Sequence, residues 1–219
     1  MTLALVDSWT TAPQSLAERA YREIRTLIVT LDLAPGSVIS ETDLQERLGM
    51  GRTPIREALR SLADERLIEV YPRRGMFVTG VDARDLSALS EVREILEPQA
   101  ARIAAQRHTQ ADAEQMRELL QAIDDLVPDQ RALIELDQRI HQVVYRGTQN
   151  PFLIAALDEH YMHALRIWFM ALDRITDLAQ AIREHRAILE AILLGDPERS
   201  AAAMSRHVAG FETQIQRIL

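Results

Sequence analysis

The chain has 219 residues, a formal net charge of −8, 47% hydrophobic residues and no cysteine. A chain of this size and apolar content can bury one large core or two modest ones. The missing thiols exclude a disulfide framework and any thiolate metal site. No apolar run reaches the roughly 20 residues needed to span a bilayer, and the first residues lack the charged start and cleavage region of a signal peptide. The expected setting is the cytoplasm, with no membrane partner.

Residues 1–14 are polar and irregular, and are expected to form a flexible arm. Ser15 with Glu18 marks a helix start, and Leu16, Ala20, Ile24, Leu27, Ile28 and Leu31 continue at helical spacing. Pro35-Gly36 closes the link that follows. Ser40 with Asp43 starts a second helix. Leu44 and Leu48 share a face of it, and Gly49 is suited to the left-handed residue that ends it. A third helix begins near Thr53-Pro54, where proline in the first turn forfeits no hydrogen bond. Ile55, Leu59 and Leu62 give this helix its apolar side. Arg52, Thr53, Arg56 and Arg60 lie at its start and on its polar side, as in a helix that reads the major groove of DNA. Two short strands, Leu67–Tyr71 and Met76–Thr79, flank a turn carrying Arg73, Arg74 and Gly75. A helix-turn-helix followed by such a basic hairpin is the winged form of the motif. Spacing alone is also compatible with an ordinary helical hairpin.

The charge divides unevenly. Residues 1–80 hold ten arginines against eleven acids, and the remainder fifteen against twenty-two. The acidity therefore lies behind the proposed reading head, where screening beyond about 10 Å limits its effect on phosphate binding. The chain has no lysine, and arginine favours forked contacts to phosphate and guanine.

Beyond a boundary near residues 80–82 the periodicity is helical almost throughout. Helices are expected from Asp82 through the Pro98 region, where a bend is expected, then from Thr109 to near Pro128. Four more follow, at about 130–147, 151–172, 177–194 and 197–218. Asn150-Pro151 and Asp196-Pro197 are N-cap and first-turn pairs. The expected fold is mostly α: a winged helix-turn-helix domain of three helices and a β-hairpin over 15–80, then an all-α bundle of about six helices over 81–219.

Asp137 and His141 stand four apart on one helix and share a face. His185 and His207 lie on later helices. If they converge, one carboxylate and three imidazoles suit a divalent zinc or nickel ion. Spacing alone favours separate histidines with ordinary hydrogen bonds. Arg93 is compatible with pairing to an anionic ligand or with a solvent-screened helical pair to Glu97. Trp168 and Phe169 read as core or dimer contacts. His108, His160 and His163 read as helix-end, packing or surface residues.

The segments APGSVISETDLQERLGM and GRTPIREALRSLADERLIEVYPRRGMFV resemble the DNA-binding signature of GntR-type transcription regulators. Two positions depart from it: Gly51 stands where the family often has Ser, and Thr42 where some members carry an Arg that contacts DNA. EVREILEPQAARIAA, DQRIHQVVYRGTQNPFL and EHRAILEAILLGDPERSAAAMSRHV resemble the FCD effector domain of the FadR subgroup. The resemblance implies a homodimer on operator DNA. Arg52 and Arg56 would contact bases or phosphates, Thr53 and Arg74 would hold the backbone, and Gly75 would permit the wing turn. It also implies a metal held by Asp137, His141, His185 and His207, and an Arg93 directed at a small organic acid that controls operator affinity, most often by relieving repression. The alternatives are a metal-dependent enzyme acting on a small carboxylate, or an architectural DNA binder with a purely structural metal.

Overall fold

The computed structural model describes residues 15–127, 129–174 and 178–216. The expected arm at 1–14, the helix end at Pro128 and the helix start at Asp177 lie outside them. The chain divides into two compact units. The first takes in residues up to Asp82 with Leu165–Met170, and the second Ala83–Ala164 with Ala171–Leu219.

The first unit contains α1 (Leu16–Val29), β1 (Val38–Ile39), α2 (Glu41–Leu48), α3 (Arg52–Asp64), β2 (Ile68–Tyr71) and β3 (Gly75–Val78). Ser15 caps α1, its side chain accepting from the Glu18 amide at 3.1 Å. Ser40 does the same for α2 through the Asp43 amide at 3.2 Å. Gly49 ends α2 at φ 64°, its N–H donating to the Gln45 carbonyl. Such a left-handed position suits glycine because no Cβ meets the backbone. Gly51 is the N-cap of α3 and supplies no side-chain cap. Ile24, Ile28, Leu44, Ile55, Leu59 and Leu62 meet in one buried cluster that also takes Leu67, Ile68 and Val78 from the sheet. The apolar faces of three helices and the inner face of the wing thus share one core.

The wing is larger than the expected hairpin. Its sheet runs β1-β3-β2, fully antiparallel. Val38 and Ile39 pair with Phe77 and Met76, which covers the second edge of β3. At the tip, the Arg74 amide donates to the Tyr71 carbonyl at 3.1 Å. Pro72 and Arg73 occupy the central positions, and Arg73 has φ 66°, the pattern of a type II turn. Gly75 follows at φ 102°.

Among the described residues the second unit contains α4 (Ala83–Arg107), α5 (Gln110–Asp124), α6 (Gln130–Gly147), α7 (Pro151–Ala171), α8 (Leu178–Leu193) and α9 (Pro197–Gln216). The last turn of α7 tightens to a 3-10 helix over Leu172–Arg174, and α7 lends Leu165–Met170 to the first unit. Helix α4 continues through Pro98. Thr109 and Asp112 form a reciprocal capping box at the start of α5. Asn150 caps α7 ahead of Pro151, and Asp196 accepts from the Arg199 amide at 3.0 Å ahead of Pro197. These breaks end each helix where the next must begin and set the faces of α4, α6, α8 and α9 that meet in the interior.

Candidate DNA-reading surface and metal centre

Helix α3 carries Arg52, Thr53, Arg56 and Arg60, all exposed, because Ile55, Ala58, Leu59 and Leu62 claim its opposite face. Arg73, Arg74 and Gly75 are exposed at the β2–β3 turn. The Arg74 guanidinium lies 5.9 Å from the centre of the Tyr71 ring. Sequence reading missed Glu41, in the first turn of α2. The Arg56 Nε donates to its two carboxylate oxygens at 3.1 and 2.9 Å, and Arg52 Nε reaches it at 3.4 Å. These two cations hold the Glu41 carboxyl below its ordinary range, Arg56 most strongly.

In the second unit the structure brings Asp137, His141, His185 and His207 together. One nitrogen or oxygen from each lies within 4.8 Å of all the others, and all four residues are buried. Asp137 and His141 project from one face of α6 towards His185 on α8 and His207 on α9. The Asp137 Oδ2 accepts from Tyr161 Oη of α7 at 2.7 Å, while its Oδ1 lies 3.4 Å from His185 Nε2.

A backbone hydrogen bond assigns the ring proton of His185. His185 Nδ1 faces the Ile182 carbonyl at 3.1 Å. A carbonyl only accepts, so Nδ1 carries the proton and Nε2 the lone pair. His141 Nδ1 faces Tyr145 Oη at 3.1 Å and Glu97 Oε2 at 3.2 Å. Burial alone would raise the Glu97 carboxyl, but Arg93 and then His141 outweigh it and bring it down to about 2. With Nδ1 protonated toward that carboxylate, His141 would present a bare Nε2. The two Nε2 atoms stand 3.2 Å apart. In that tautomer two lone pairs face each other, and they repel unless a cation lies between them. Asp137 Oδ1 and His207 Nδ1 are also buried without a hydrogen-bond partner. The donor set therefore fits a divalent ion, with Glu97 as the outer carboxylate that orients a ligating imidazole.

Glu97 was also missed as a contributor to the site. The expected Arg93–Glu97 pair exists, Nε to Oε1 at 2.5 Å, but it is not solvent-screened: the side chains are 3% and 1% exposed. The signal lay in α4 itself. Leu86, Ser90, Arg93, Glu97, Ala100 and Ala104 recur every three or four residues and are all buried, so the charges share the core-facing side. Arg93 lies over the Phe211 ring at 4.8 Å and keeps Nη1 unpartnered. His108, just past the end of α4, is bonded to the Ala104 carbonyl, and His160 to the Ala156 carbonyl of its own helix.

Burial keeps His185 and His207 neutral. It lowers His185 to about 4 and His207 well below the ordinary value. Between pH 6.5 and 4 the unfolded chain takes up protons that the folded chain refuses. Stability is therefore complete above pH 6.5 and declines on acidification, by up to about 2 kcal/mol per such histidine at pH 5. Glu97 adds to the decline below its ordinary value of 4.5. Thermal melts of chelator-treated protein from pH 7.5 to 5 are expected to show a midpoint that is level down to about pH 6.5 and falls below it, and a constant midpoint throughout would contradict the assignment.

A winged helix whose reading helix presents arginines, followed by a separate helical bundle, defines the class: a DNA-binding transcription regulator. The gntR family of bacterial regulatory proteins matches residues 16–78, and the FCD domain matches residues 88–210. An HTH-type transcriptional regulator of Streptomyces ambofaciens is 32% identical over 90% of this chain and 84% of its own length. The galactonate operon transcriptional repressor of Escherichia coli K12 is 30% identical over 84% and 90%. Among solved structures, E. coli McbR/YncC shares the fold at a TM-score of 0.82 and 22% identity, over 94% of this chain and 99% of that one. The chain belongs to the gntR family, with an FCD domain behind its winged helix. No described helix is long and apolar enough to cross a membrane.

Proposed function

We propose that the protein is a cytoplasmic, homodimeric repressor whose operator affinity is set by a small organic acid bound beside a metal ion. Residues 15–80 grip the operator and residues 81–219 sense the acid. Arg52 and Arg56 contact bases or phosphates. Arg60, Arg73 and Arg74 add phosphate contacts, Thr53 holds the backbone, and Gly75 permits the wing to approach. Asp137, His141, His185 and His207 hold the ion, zinc or nickel by the chemistry of the donors. When bound, the ion supplies a Lewis-acidic position for a carboxylate, and Arg93 offers a counter-charge through Nη1. No residue is assigned a catalytic role. The names of the relatives support repression: one is the galactonate operon repressor and another the repressor RspR, both of E. coli.

The observation that carries this reading is the buried donor cluster linked through Glu97 to a guanidinium with a nitrogen to spare. Coupling requires the acid to bind the two arrangements of the dimer with different affinity. The test is a titration of small carboxylates into metal-loaded protein bound to a labelled duplex from its own promoter. Release of the duplex by one class of acid is expected. Unchanged affinity throughout would favour the second reading, a metal that only stiffens the bundle, which the complete burial of the four donors also supports. Arg56→Ala is expected to weaken operator binding by about 1–3 kcal/mol if Arg56 reads a base, and a gel shift with unaltered affinity would remove it from the contacts.

A further inference from the structure

We propose that Glu41 is a positioning residue for DNA reading, holding Arg56 so that its fork addresses a guanine edge rather than the phosphates. The inference rests on α3 being the reading helix. Arg56 is half exposed, yet it is not left to wander. Its Nε is committed to both oxygens of Glu41, at 3.1 and 2.9 Å, across the turn between α2 and α3. Nη1 and Nη2 have no other partner among the described residues. An arginine reads guanine by placing two parallel N–H groups on O6 and N7. With Nε taken, the end-on pair Nη1 and Nη2 is the fork that remains, and the carboxylate fixes its plane before DNA arrives. Arg52 Nε, at 3.4 Å from the same carboxylate, is held more loosely.

Two consequences follow from the sign of the charge. A carboxylate beside the reading helix repels phosphates, so it lowers affinity for duplexes of any sequence. It also offsets part of the positive charge of Arg56, so that a loose electrostatic contact gains little while a well-aligned fork keeps its full hydrogen bonds. Glu41 thus favours discrimination over general affinity. Removing a residue that only stabilised α2 would weaken binding to every duplex alike.

The experiment uses the full-length protein and a duplex enriched by the wild type from a random library. Each base pair of that duplex is then varied in turn. Glu41→Gln keeps the size and removes the charge; Arg56→Ala and the double variant complete the cycle, with thermal melts confirming that all three fold. Glu41→Gln is expected to lose at least about fivefold discrimination at the same G·C pair where Arg56→Ala loses it, the low end of what a forked arginine contributes. It should also bind non-specific duplex more tightly, with a salt dependence steeper by about one phosphate contact. The double variant should lose no more discrimination than Arg56→Ala. Unchanged discrimination in Glu41→Gln, or an equal loss at every position, would overturn the inference alone. If the wild type enriches no duplex, the regulator reading falls and takes this inference with it.

Discussion

Arg93→Ala is expected to destabilise the protein by about 3–5 kcal/mol, the cost of stranding one member of a buried ion pair. For a chain of this size that corresponds to a fall in melting midpoint of roughly 6–20 °C. The reasoning starts from Glu97, whose carboxylate is 1% exposed and ionised at every ordinary pH because Arg93 and His141 face it. Without Arg93 that charge has no adequate partner and no access to water. Replacing both residues with methionine removes the charge with its partner, and fold stability should largely return, since apolar replacement of a buried pair is often neutral or better. Metal affinity should not return with it. His141 would lose the carboxylate that faces its Nδ1, and such outer partners are worth about 10–100-fold in affinity. Differential scanning calorimetry and a competitive chelator titration on the same two variants separate these effects. A stable Arg93→Ala variant would show that the pair is less confined than its exposure indicates.

His185→Ala should leave the purified protein without its ion, and the chelated wild type should melt where this variant does. An ion held at 100 times its dissociation constant stabilises the fold by about 2.7 kcal/mol, or about 5–10 °C here. Of the four donors, His185 is the most informative to remove. It is fully buried, its tautomer is fixed by the Ile182 carbonyl, and its Nε2 approaches both His141 and Asp137. Elemental analysis showing full occupancy in this variant would exclude it as a ligand. A wild-type midpoint indifferent to chelation would exclude the site altogether.

Most of the architecture was legible in the sequence, for local reasons. Ser15, Ser40, Thr109, Asn150 and Asp196 mark helix starts by chemistry that acts over two or three residues, and each is found at the cap position. The elements that escaped depend on distant partners. Val38–Ile39 is too short for periodicity to register, and it is a strand only because β3 lies beside it. Glu41 meets Arg56 across fifteen residues and a turn. The four donors were named from a resemblance; spacing alone could not show that α6, α8 and α9 meet. Glu97 shows a different failure. Its helical face was readable from Ser90, Arg93, Ala100 and Ala104, but a charged pair four apart is so often a surface feature that its register with the core went unused.

Glu97, Asp137, Tyr161, His185 and His207 come from five separate helices, α4, α6, α7, α8 and α9, and their side chains converge around His141. With an ion bound, any local opening that swings α6, α8 or α9 away would remove a donor and release it. The free energy of ion capture is therefore added to each of those openings. Partial unfolding, otherwise available to single helices at modest energy, would then cost more by the full free energy of ion capture. A loaded bundle would resist the departure of any one of its donor helices.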